Sequence, residues 1–454
     1  MNQSSQVSTM PVRTLSLHAL ALSLLAFVIA LMPRAASAVE IQRFTTPGGI
    51  NVWLVEENTV PLITMNFAWR GGAAQDPGGK SGVASFLTTM MDEGAGDMNS
   101  TAYQEREEAL AMRMSFSAGR DSFFGEFRTL VETRDEAFEM LRLAVNEPRF
   151  DDDAFARMRE QILTGLRDSE TDPQTILGRT WGDAVFGNHP YGRPVAGTVD
   201  TVSAISIDDL RTYRARNFAR DNLFIGVVGA IDQKTLAGFV DKVFGGLPLS
   251  AQLAKIPDAI IPDKPFLRTA ELDVPQTVIQ FGRPGLLRDD PDFIPAYVLN
   301  YILGGGSFSS RLYEEVREKR GLAYSVYSYL YPLDHAALYV GGLATRAERA
   351  QEAIDIVREE IARMAKDGPT DEELASAKAY LKGSYALRFD TGDKIASQLV
   401  QLQLEDLGYD YFDKRNGMIE AVKMEDIRRA AKRLLDKGDV FVIAVGRPTI
   451  KTDG

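Results

Sequence analysis

Three hydroxyl side chains occur at helical spacing in the segment SGVASFLTTMMDEGAG, residues 81–96. Ser85, Thr88 and Thr89 stand at i, i+3 and i+4, so that in a helix they share one face and converge on a common point. That spacing suits a metal site or an acid–base pair, yet it carries only small hydroxyl residues. The apolar residues between them follow a second helical stripe, which predicts a packed helix without a reactive group.

Histidine is scarce, which limits the chemistry that the chain can do. His18 lies in an apolar N-terminal stretch, His189 in the rigid segment FGNHPYGRPVAGT, and His335 in YPLDHAALY, where we expect a turn between strands. A catalytic zinc usually takes two or three histidines and a carboxylate. A metal site built on His189 or His335 would have to join distant segments, and it stays an alternative. The sequence has neither a Gly-x-Ser-x-Gly elbow nor a cysteine nucleophile.

The N-terminus has the pattern of a secretory signal peptide, residues 1–38. Arg13 precedes an almost wholly apolar stretch, residues 15–32, and Ala36-Ser37-Ala38 offers a small-residue cleavage site. The alternative is an uncleaved membrane anchor, because this stretch could nearly span a bilayer. We predict cleavage and export to a bacterial periplasm, with no membrane contact afterwards.

Charge and cysteine content exclude several classes of protein. The formal net charge is −12, and removal of residues 1–38 makes it −14, since they hold two arginines and no acidic residue. This charge argues against nucleic acid or anionic lipid as a partner. The absence of cysteine excludes the small secreted scaffolds that disulfides hold together, and it favours a periplasmic protein with a large core.

The mature chain consists of two similar halves. Residues 206–229 and 423–446, which are 217 positions apart, each predict a helix followed by an apolar strand that ends in glycine. Successive short strands, such as 113–118 and 121–130, indicate antiparallel sheets. We therefore predict an α+β fold of two homologous α/β domains, each a mainly antiparallel sheet packed with helices, which face each other as a clamshell.

The predicted domain boundaries follow from a proline-rich stretch between the halves. We expect an N-terminal domain at 39–248, an extended linker at 249–265 and a C-terminal domain at 266–450.

Three segments give the chain a resemblance to a known family. The opening strands in TPGGINVWLV, the His-Pro-Tyr-Gly segment in GNHPYGRPVAGT, and the run GGGSFSSRLYEEVREKRGLAYSVYS are similar to the insulinase/pitrilysin-type zinc metallopeptidases. That family includes the mitochondrial processing peptidase, and the similarity covers nearly the whole mature chain. Its active members carry an HxxEH motif for zinc and a further glutamate ligand on a later helix.

The resemblance implies a degenerate zinc site. The active motif Ala-His-Phe-Leu-Glu-His-Met corresponds here to ASFLTTM, so Ser85 and Thr89 replace the zinc histidines and Thr88 replaces the general-base glutamate. The later Glu-Glu pair falls on Thr164 and Gly165. Hydroxyls cannot replace imidazoles as zinc ligands. We therefore expect no metal, no cofactor and no catalytic residue in this chain.

The second half keeps the family's arginine–tyrosine pair. Arg317 and Tyr324 are seven positions apart in REKRGLAY, and in the family such a pair reaches the scissile peptide. A guanidinium and a phenol can donate hydrogen bonds to a substrate carbonyl and its developing oxyanion. The residues alone would favour a charged helix over 311–320 that ends at Gly321, with Arg317 paired to a helix glutamate such as Glu314 and Tyr324 in the core. The resemblance favours the substrate-binding role.

A glycine run precedes this pair. Gly304, Gly305 and Gly306 resemble, in shorter form, the glycine-rich loop of the processing peptidase's non-catalytic subunit, which implies substrate binding. The alternative is a flexible turn that leads into a helix N-cap at Ser309 or Ser310.

Together these features predict a non-catalytic, substrate-binding subunit of a heteromeric periplasmic zinc metallopeptidase that degrades or processes peptides. The resemblance implies a homologous partner with HxxEH and zinc, whose active site Arg317 and Tyr324 would complete in trans. Alone, the chain would be inactive. The alternative is a structural scaffold or a peptide-binding protein of the same fold, with no proteolytic role.

Overall fold

The structure, a computed structural model, describes residues 40–435, 439–448 and 450. The predicted signal peptide, residues 1–38, lies outside them. The described chain is an α+β protein with two large, mainly antiparallel sheets, which confirms the predicted fold class. None of the described helices is both long and apolar enough to cross a membrane.

The first sheet is formed by six strands of the N-terminal half. They are β1 (Gln42–Thr45), β2 (Asn51–Glu56), β3 (Leu62–Arg70), β6 (Arg113–Ala118), β7 (Ser122–Leu130) and β8 (Leu223–Gly229). A separate ribbon pairs β4 (Gly94–Ala95) with β5 (Met98–Asn99). The order of the sheet is β1-β2-β8-β3-β7-β6, and only β2 and β8 run parallel.

The second sheet repeats this topology in the C-terminal half. Its strands are β9 (Leu267–Glu271), β10 (Gln276–Pro284), β11 (Ala323–Leu333), β12 (Ala336–Arg346) and β13 (Phe441–Gly446). The order is β11-β12-β10-β13-β9, with β9 and β13 parallel. Apart from β1, the two sheets have the same order of strands, with β11 in the place of β6 at one edge. This agreement is expected of two homologous domains.

Helices cover the sheets of both halves. In the N-terminal half they are α1 (Val83–Thr88), α2 (Ser100–Ala109), α3 (Arg134–Asn146), α4 (Asp152–Asp168), α5 (Pro173–Trp181), α6 (Val199–Ser203), α7 (Ile207–Asn217) and α8 (Gln233–Phe244). In the C-terminal half they are α9 (Phe293–Asn300), α10 (Arg311–Tyr313), α11 (Ala350–Asp367), α12 (Asp371–Gly383), α13 (Gly392–Leu404), α14 (Tyr411–Ala421) and α15 (Met424–Leu435). Capping boxes at Ser206 and Thr370 fix the starts of α7 and α12.

Each half sends one helix onto the sheet of the other half. α5 packs on β10 and β13, where the rings of Trp181 and Phe441 lie 5.2 Å apart. In return, α13 packs on β3 and β8. There a Cβ at Gly226 would lie 2.6 Å from the carbonyl oxygen of Ala396, so only glycine allows this approach. Because a helix of each half packs on the other half's sheet, both faces of the central strands are buried. The two halves therefore share part of one apolar core.

The segment that joins the two halves is hydrogen-bonded to both of them. Residues 249–265 contain no helix or strand. The backbone N–H of Gln252 donates to the carbonyl of Arg216 (2.7 Å), and that of Ala259 donates to the carbonyl of His335 (2.8 Å). The strands on either side end at Gly229 and begin at Leu267. The predicted boundaries of the domains and linker stay a prediction.

Candidate functional site

The hydroxyl-bearing segment forms a shorter helix than its sequence predicts. Within 81–96, α1 ends at Thr88, because the N–H of Thr89 turns back to the carbonyl of Phe86 (3.1 Å). The hydroxyl of Thr88 donates to the carbonyl of Ser85 (2.6 Å), and that of Thr89 donates to Phe86 (2.9 Å). Both threonines therefore spend their O–H groups on their own helix.

The other predicted zinc-site positions lie on α4, which packs against α1. The rings of Phe86 and Phe155 stack there with centroids 4.9 Å apart. Thr164 and Gly165 are both exposed on α4. The two helices thus adjoin without supplying imidazole or carboxylate ligands at these positions. Across residues 40–435, 439–448 and 450, no group of three or more His, Cys, Asp or Glu side chains is placed to hold a metal ion. The donor set does not fit zinc.

Arg317 lies among three aromatic rings. Its guanidinium carbon is 4.6 Å from the ring centroid of Tyr324, 4.8 Å from that of Tyr313 and 5.9 Å from that of Phe308. Its Nη1 donates to the hydroxyl of Tyr313. Tyr324 is 81% exposed and Phe308 is 76% exposed. We call these four residues the Arg317 cluster. Cation–π contacts hold the guanidinium in place while its outer edge stays accessible to a ligand.

The segment that carries Arg317 is not the regular helix predicted over 311–320. α10 ends at Tyr313, and a π-helical turn follows over Glu314–Glu318. Glu314 pairs with Lys319 at 3.0 Å. The wider turn breaks the i, i+3 geometry that an α-helix would give Glu314 and Arg317. Glu314 is therefore not the partner of Arg317, but a carboxylate oxygen of Glu318 in the same turn lies 4.0 Å from its Nε. The part of the alternative that packs Tyr324 in the core is wrong, because Tyr324 is 81% exposed.

A buried carboxylate anchors this turn. Glu315 is buried and accepts hydrogen bonds from Lys319 (2.8 Å) and Arg320 (2.5 Å). The hydrogen bond from Lys319 is the main cause that lowers the pKa of Glu315 to about 2, against the opposing effect of burial. The turn next to Arg317 is thus tied down by charge at neutral pH.

The glycine run is ordered by close packing. A Cβ at Gly304 would collide with the hydroxyl of Ser328, and one at Gly305 would lie 2.7 Å from Nδ2 of Asn300. Ser307, which follows the run, has a φ of 47°, a left-handed conformation that is rare for serine. Ser310 occupies the N-cap position of α10, but its hydroxyl donates to the carbonyl of Ser307 (2.8 Å). The assignment of the glycines to substrate binding stays a prediction.

Neither remaining histidine is arranged for a metal. Nδ1 of His189 accepts from the N–H of Tyr191 (3.1 Å), so Nε2 carries the proton and donates to the carbonyl of Pro257 (2.7 Å). His335 has its Nδ1 3.4 Å from Asp258. The two histidines flank the ring of Tyr191 beside the segment that joins the halves. Both ring nitrogens of His189 thus have hydrogen-bond partners, and the alternative metal site at His189 or His335 stays a prediction.

Each sheet has an edge strand beside one of the candidate sites, α1 or the Arg317 cluster. β6 borders the first sheet and contacts α1, and β11 borders the second sheet. Tyr324, Tyr327 and Tyr329 are exposed on β11, and the rings of the last two stack 6.1 Å apart. These three tyrosines thus lie on the sheet surface and not in the core.

Family patterns match both halves of the chain. The pattern described as insulinase, peptidase family M16, matches residues 54–199, and the one described as the peptidase M16 inactive domain matches residues 204–381. This chain belongs to the insulinase (M16) family. The positions of the M16 zinc motif hold Ser85, Thr88 and Thr89 here, so the chain is a non-catalytic member of that family.

Relatives and solved structures of the M16 family resemble nearly the whole chain. An uncharacterized zinc protease of Mycobacterium leprae is 28% identical over 412 residues, which are 89% of this chain and 91% of that protein. The non-peptidase homolog YmxG of Helicobacter pylori is 26% identical over 371 residues, 81% of this chain and 84% of its own length. A crystal structure of a peptidase M16 inactive domain from Pseudomonas fluorescens is 28% identical, with a TM-score of 0.85, and the match covers 91% of this chain and 99% of that one.

Two members of the Arg317 cluster were not predicted from the sequence. Phe308 and Tyr313 carry no motif, and their contacts with Arg317 depend on the π-helical turn. The run SFSSRLY does place an aromatic residue on either side of α10's start, which is a weak signal. The zinc-site positions, in contrast, could be found because the M16 motif is contiguous.

Proposed function

We propose that this chain is the non-catalytic, substrate-binding subunit of a heteromeric periplasmic M16 peptidase, after removal of residues 1–38. The observation that carries the proposal is the combination of an α1 without zinc-binding side chains and the exposed rings of Phe308 and Tyr324 beside Arg317. Burying an aromatic side chain is worth about 2 kcal/mol, so exposed rings around a guanidinium indicate a surface that another molecule covers.

The chemistry of the Arg317 cluster suits a peptide carbonyl. Arg317 keeps N–H donors beyond the one given to Tyr313, and Tyr324 offers a phenolic O–H from an exposed ring. Both groups can donate to the oxygen of a scissile carbonyl and to the negative charge that develops on it. The peptide bond would be cleaved in a homologous partner that carries HxxEH and zinc.

The edge strands suit an extended peptide. β6 and β11 each have one hydrogen-bonding side without a strand among the described residues. Edge strands bind peptides by adding them as a further strand. We propose that this chain and its partner enclose a chamber in which an unfolded peptide pairs with a sheet edge beside the partner's metal.

The test is reconstitution with the homologous HxxEH chain, sought first in the neighbouring gene. Each protein is purified alone, assayed for zinc and for hydrolysis of an unfolded peptide, and then mixed. We expect no zinc and no hydrolysis from this chain alone and strong activation of the partner on mixing. Full activity with stoichiometric zinc in the isolated chain would contradict the proposal. A partner equally active without this chain would support the scaffold alternative.

A further inference from the structure

A cavity of about 370 Å³ opens beside the glycine run in the C-terminal half. Gly305, Gly306 and Ser307 form one wall, and α12 with the turn that follows it forms the opposite wall. This volume is at the lower end of the range of small-ligand pockets, about 300 to 1,000 Å³. It would hold one large amino-acid side chain or the end of a peptide.

The cavity is aromatic and has a single charge. Tyr297, Tyr301 and Tyr380 line it, and the rings of Tyr301 and Tyr380 stack with centroids 5.1 Å apart. Arg388 is the charged residue in its lining, which contains no Asp or Glu. Such a lining accepts an anion whose neighbouring atoms are apolar, because the guanidinium pairs with the charge and the rings cover the rest.

Arg388 is free to bind a ligand. No hydrogen bond or ion pair of its guanidinium occurs within the described residues, and the side chain is exposed. By contrast, the nearby Arg415 is buried and donates to the carbonyl of Leu381 (3.0 Å). The chain has a net charge of −12, and many of its arginines pair with neighbouring carboxylates. Arg388 has no such carboxylate in the lining of its cavity, so its charge is available to a ligand.

The cavity and the Arg317 cluster share one short loop. Ser307 lines the cavity, and the next residue, Phe308, places its ring 5.0 Å from that of Tyr313 and 5.9 Å from the guanidinium carbon of Arg317. Successive residues of an extended peptide advance about 3.3 Å. A peptide whose carbonyl contacts Arg317 can therefore reach the cavity within a few residues. Ser307, which lies where the cavity and the cluster meet, has a left-handed φ of 47°.

We propose that this cavity is a subsite for a peptide carboxylate, which pairs with Arg388 while the adjoining part of the residue packs on Tyr301 and Tyr380. The carboxylate comes from an acidic side chain or from the peptide's C-terminus. This inference rests on the proposed function, because it assigns specificity to the same substrate-binding surface. The consequence is that the subunit selects peptides with an acidic group a few residues from the carbonyl bound at Arg317.

The test is direct binding of short fluorescein-labelled peptides to the isolated full chain, followed by fluorescence anisotropy. The probes share the sequence Ala-Ala-Tyr-Ala-X, with X as Glu or Gln and with a free or an amidated C-terminus. We expect removal of both carboxylates to weaken binding about tenfold, the effect of losing one charge-assisted hydrogen bond. The two singly charged probes identify which carboxylate the subsite takes.

Variants at Arg388 distinguish a loss of charge pairing with the peptide from a general disturbance of the fold. Arg388→Gln should abolish the preference for carboxylates. Arg388→Glu should reverse it, so that a further probe with X as Lys and an amidated C-terminus binds better than the Glu probes. Arg428→Gln is the matched control, because Arg428 is an exposed arginine of the same half that does not line the cavity. Equal binding of charged and neutral probes, an unchanged preference in Arg388→Gln, or no binding of any probe would overturn the subsite. Because the assay needs no partner, these failures are distinct from a failure of reconstitution.

Discussion

The ring of Tyr324 lies 4.6 Å from the guanidinium carbon of Arg317, on an edge strand and 81% exposed. Two irregularities produce this arrangement. The π-helical turn Glu314–Glu318 turns Arg317 towards the aromatic side, and the pairing of β11 with β12 shifts register between Ala323 and Val326. Such bulges re-aim side chains beside functional sites. The backbone of the π-helical turn therefore positions Arg317, and the backbone of strand β11 positions Tyr324.

The hydroxyl of Tyr324 can be removed without disturbing this arrangement. Tyr324→Phe keeps the ring and its cation–π contact but deletes the O–H donor. We expect hydrolysis by the reconstituted pair to fall at least tenfold in kcat, because a donor to a developing oxyanion is lost. The unfolding temperature of the chain should stay the same, since the side chain is exposed.

Tyr327→Phe is the matched control for this change. Tyr327 is half exposed on the same strand but does not contact Arg317 in the described structure. Its variant should leave kcat unchanged. Equal losses in both variants would mean that strand β11 acts through its surface and not through the Arg317 cluster.

Metal chelation should not affect the isolated chain. The hydroxyls of Thr88 and Thr89 are bonded to their own helix, and Thr164 on α4 supplies no carboxylate. A structural or catalytic metal stabilises the fold that binds it. We therefore expect the same unfolding temperature in EDTA and in excess zinc, measured by calorimetry. A lower unfolding temperature in EDTA would reveal a metal that holds the fold together.

Asp92 makes the stability of the N-terminal half depend on pH. Burial raises the pKa of Asp92 to about 6, and the charges of Glu107 and Glu93 add to the rise. The native chain therefore keeps a proton on Asp92 that the unfolded chain loses at a pH near 4. The stabilisation that this proton gives is complete in more acidic solution and is lost as pH rises through 6.

Asp92→Asn should remove this pH dependence. We expect the variant to match the wild type at pH 4 and to exceed it by about 1 to 2 kcal/mol in free energy of unfolding at pH 7.5. Urea denaturation across this range measures the effect. Asp97→Asn, at an exposed site nearby, is the control and should change neither value. A variant less stable than the wild type at pH 7.5 would show that the carboxylate is stabilising.

The exchange of helices between halves should dominate the stability of the fold. Trp181 is 5% exposed and packs against Phe441 of the other half. Trp181→Ala should lower the free energy of unfolding by about 3 to 5 kcal/mol, as large-to-small changes in cores do. Ile260→Ala, at a 95% exposed side chain, is the control. A loss below about 1 kcal/mol would mean that the halves are held mainly by the connecting segment.

Much of the architecture follows from sequence pattern. The apolar runs of the two halves predict strands such as β6 and β7 within a residue of their observed ends, and the repeat at 206–229 and 423–446 predicts the matching topology. Helices α7 and α12 begin with a hydroxyl residue, Ser206 or Thr370, followed by acidic residues. In both, the hydroxyl and an acidic side chain of the first turn form a capping box. These signals are local, so that a single sequence contains them.

The features that the sequence did not predict are two local breaks in helices and one cavity formed by distant segments. The early end of α1 depends on Thr89 turning back onto Phe86, although the apolar spacing continues beyond it. The π-helical turn at Glu314–Glu318 leaves no trace in the pattern of charges, because Lys319 offers Glu314 an equally good partner. The cavity at Arg388 brings together α12 and the glycine run, which are far apart in the chain.

We propose that this chain has no active site of its own and completes the active site of its partner. The most direct measurement is kcat of the reconstituted pair with wild-type chain and with the double variant Arg317→Ala, Tyr324→Phe, after equal complex formation has been shown by sedimentation. We expect the double variant to lower kcat about a hundredfold or more. Unchanged hydrolysis by the double-variant complex would contradict it.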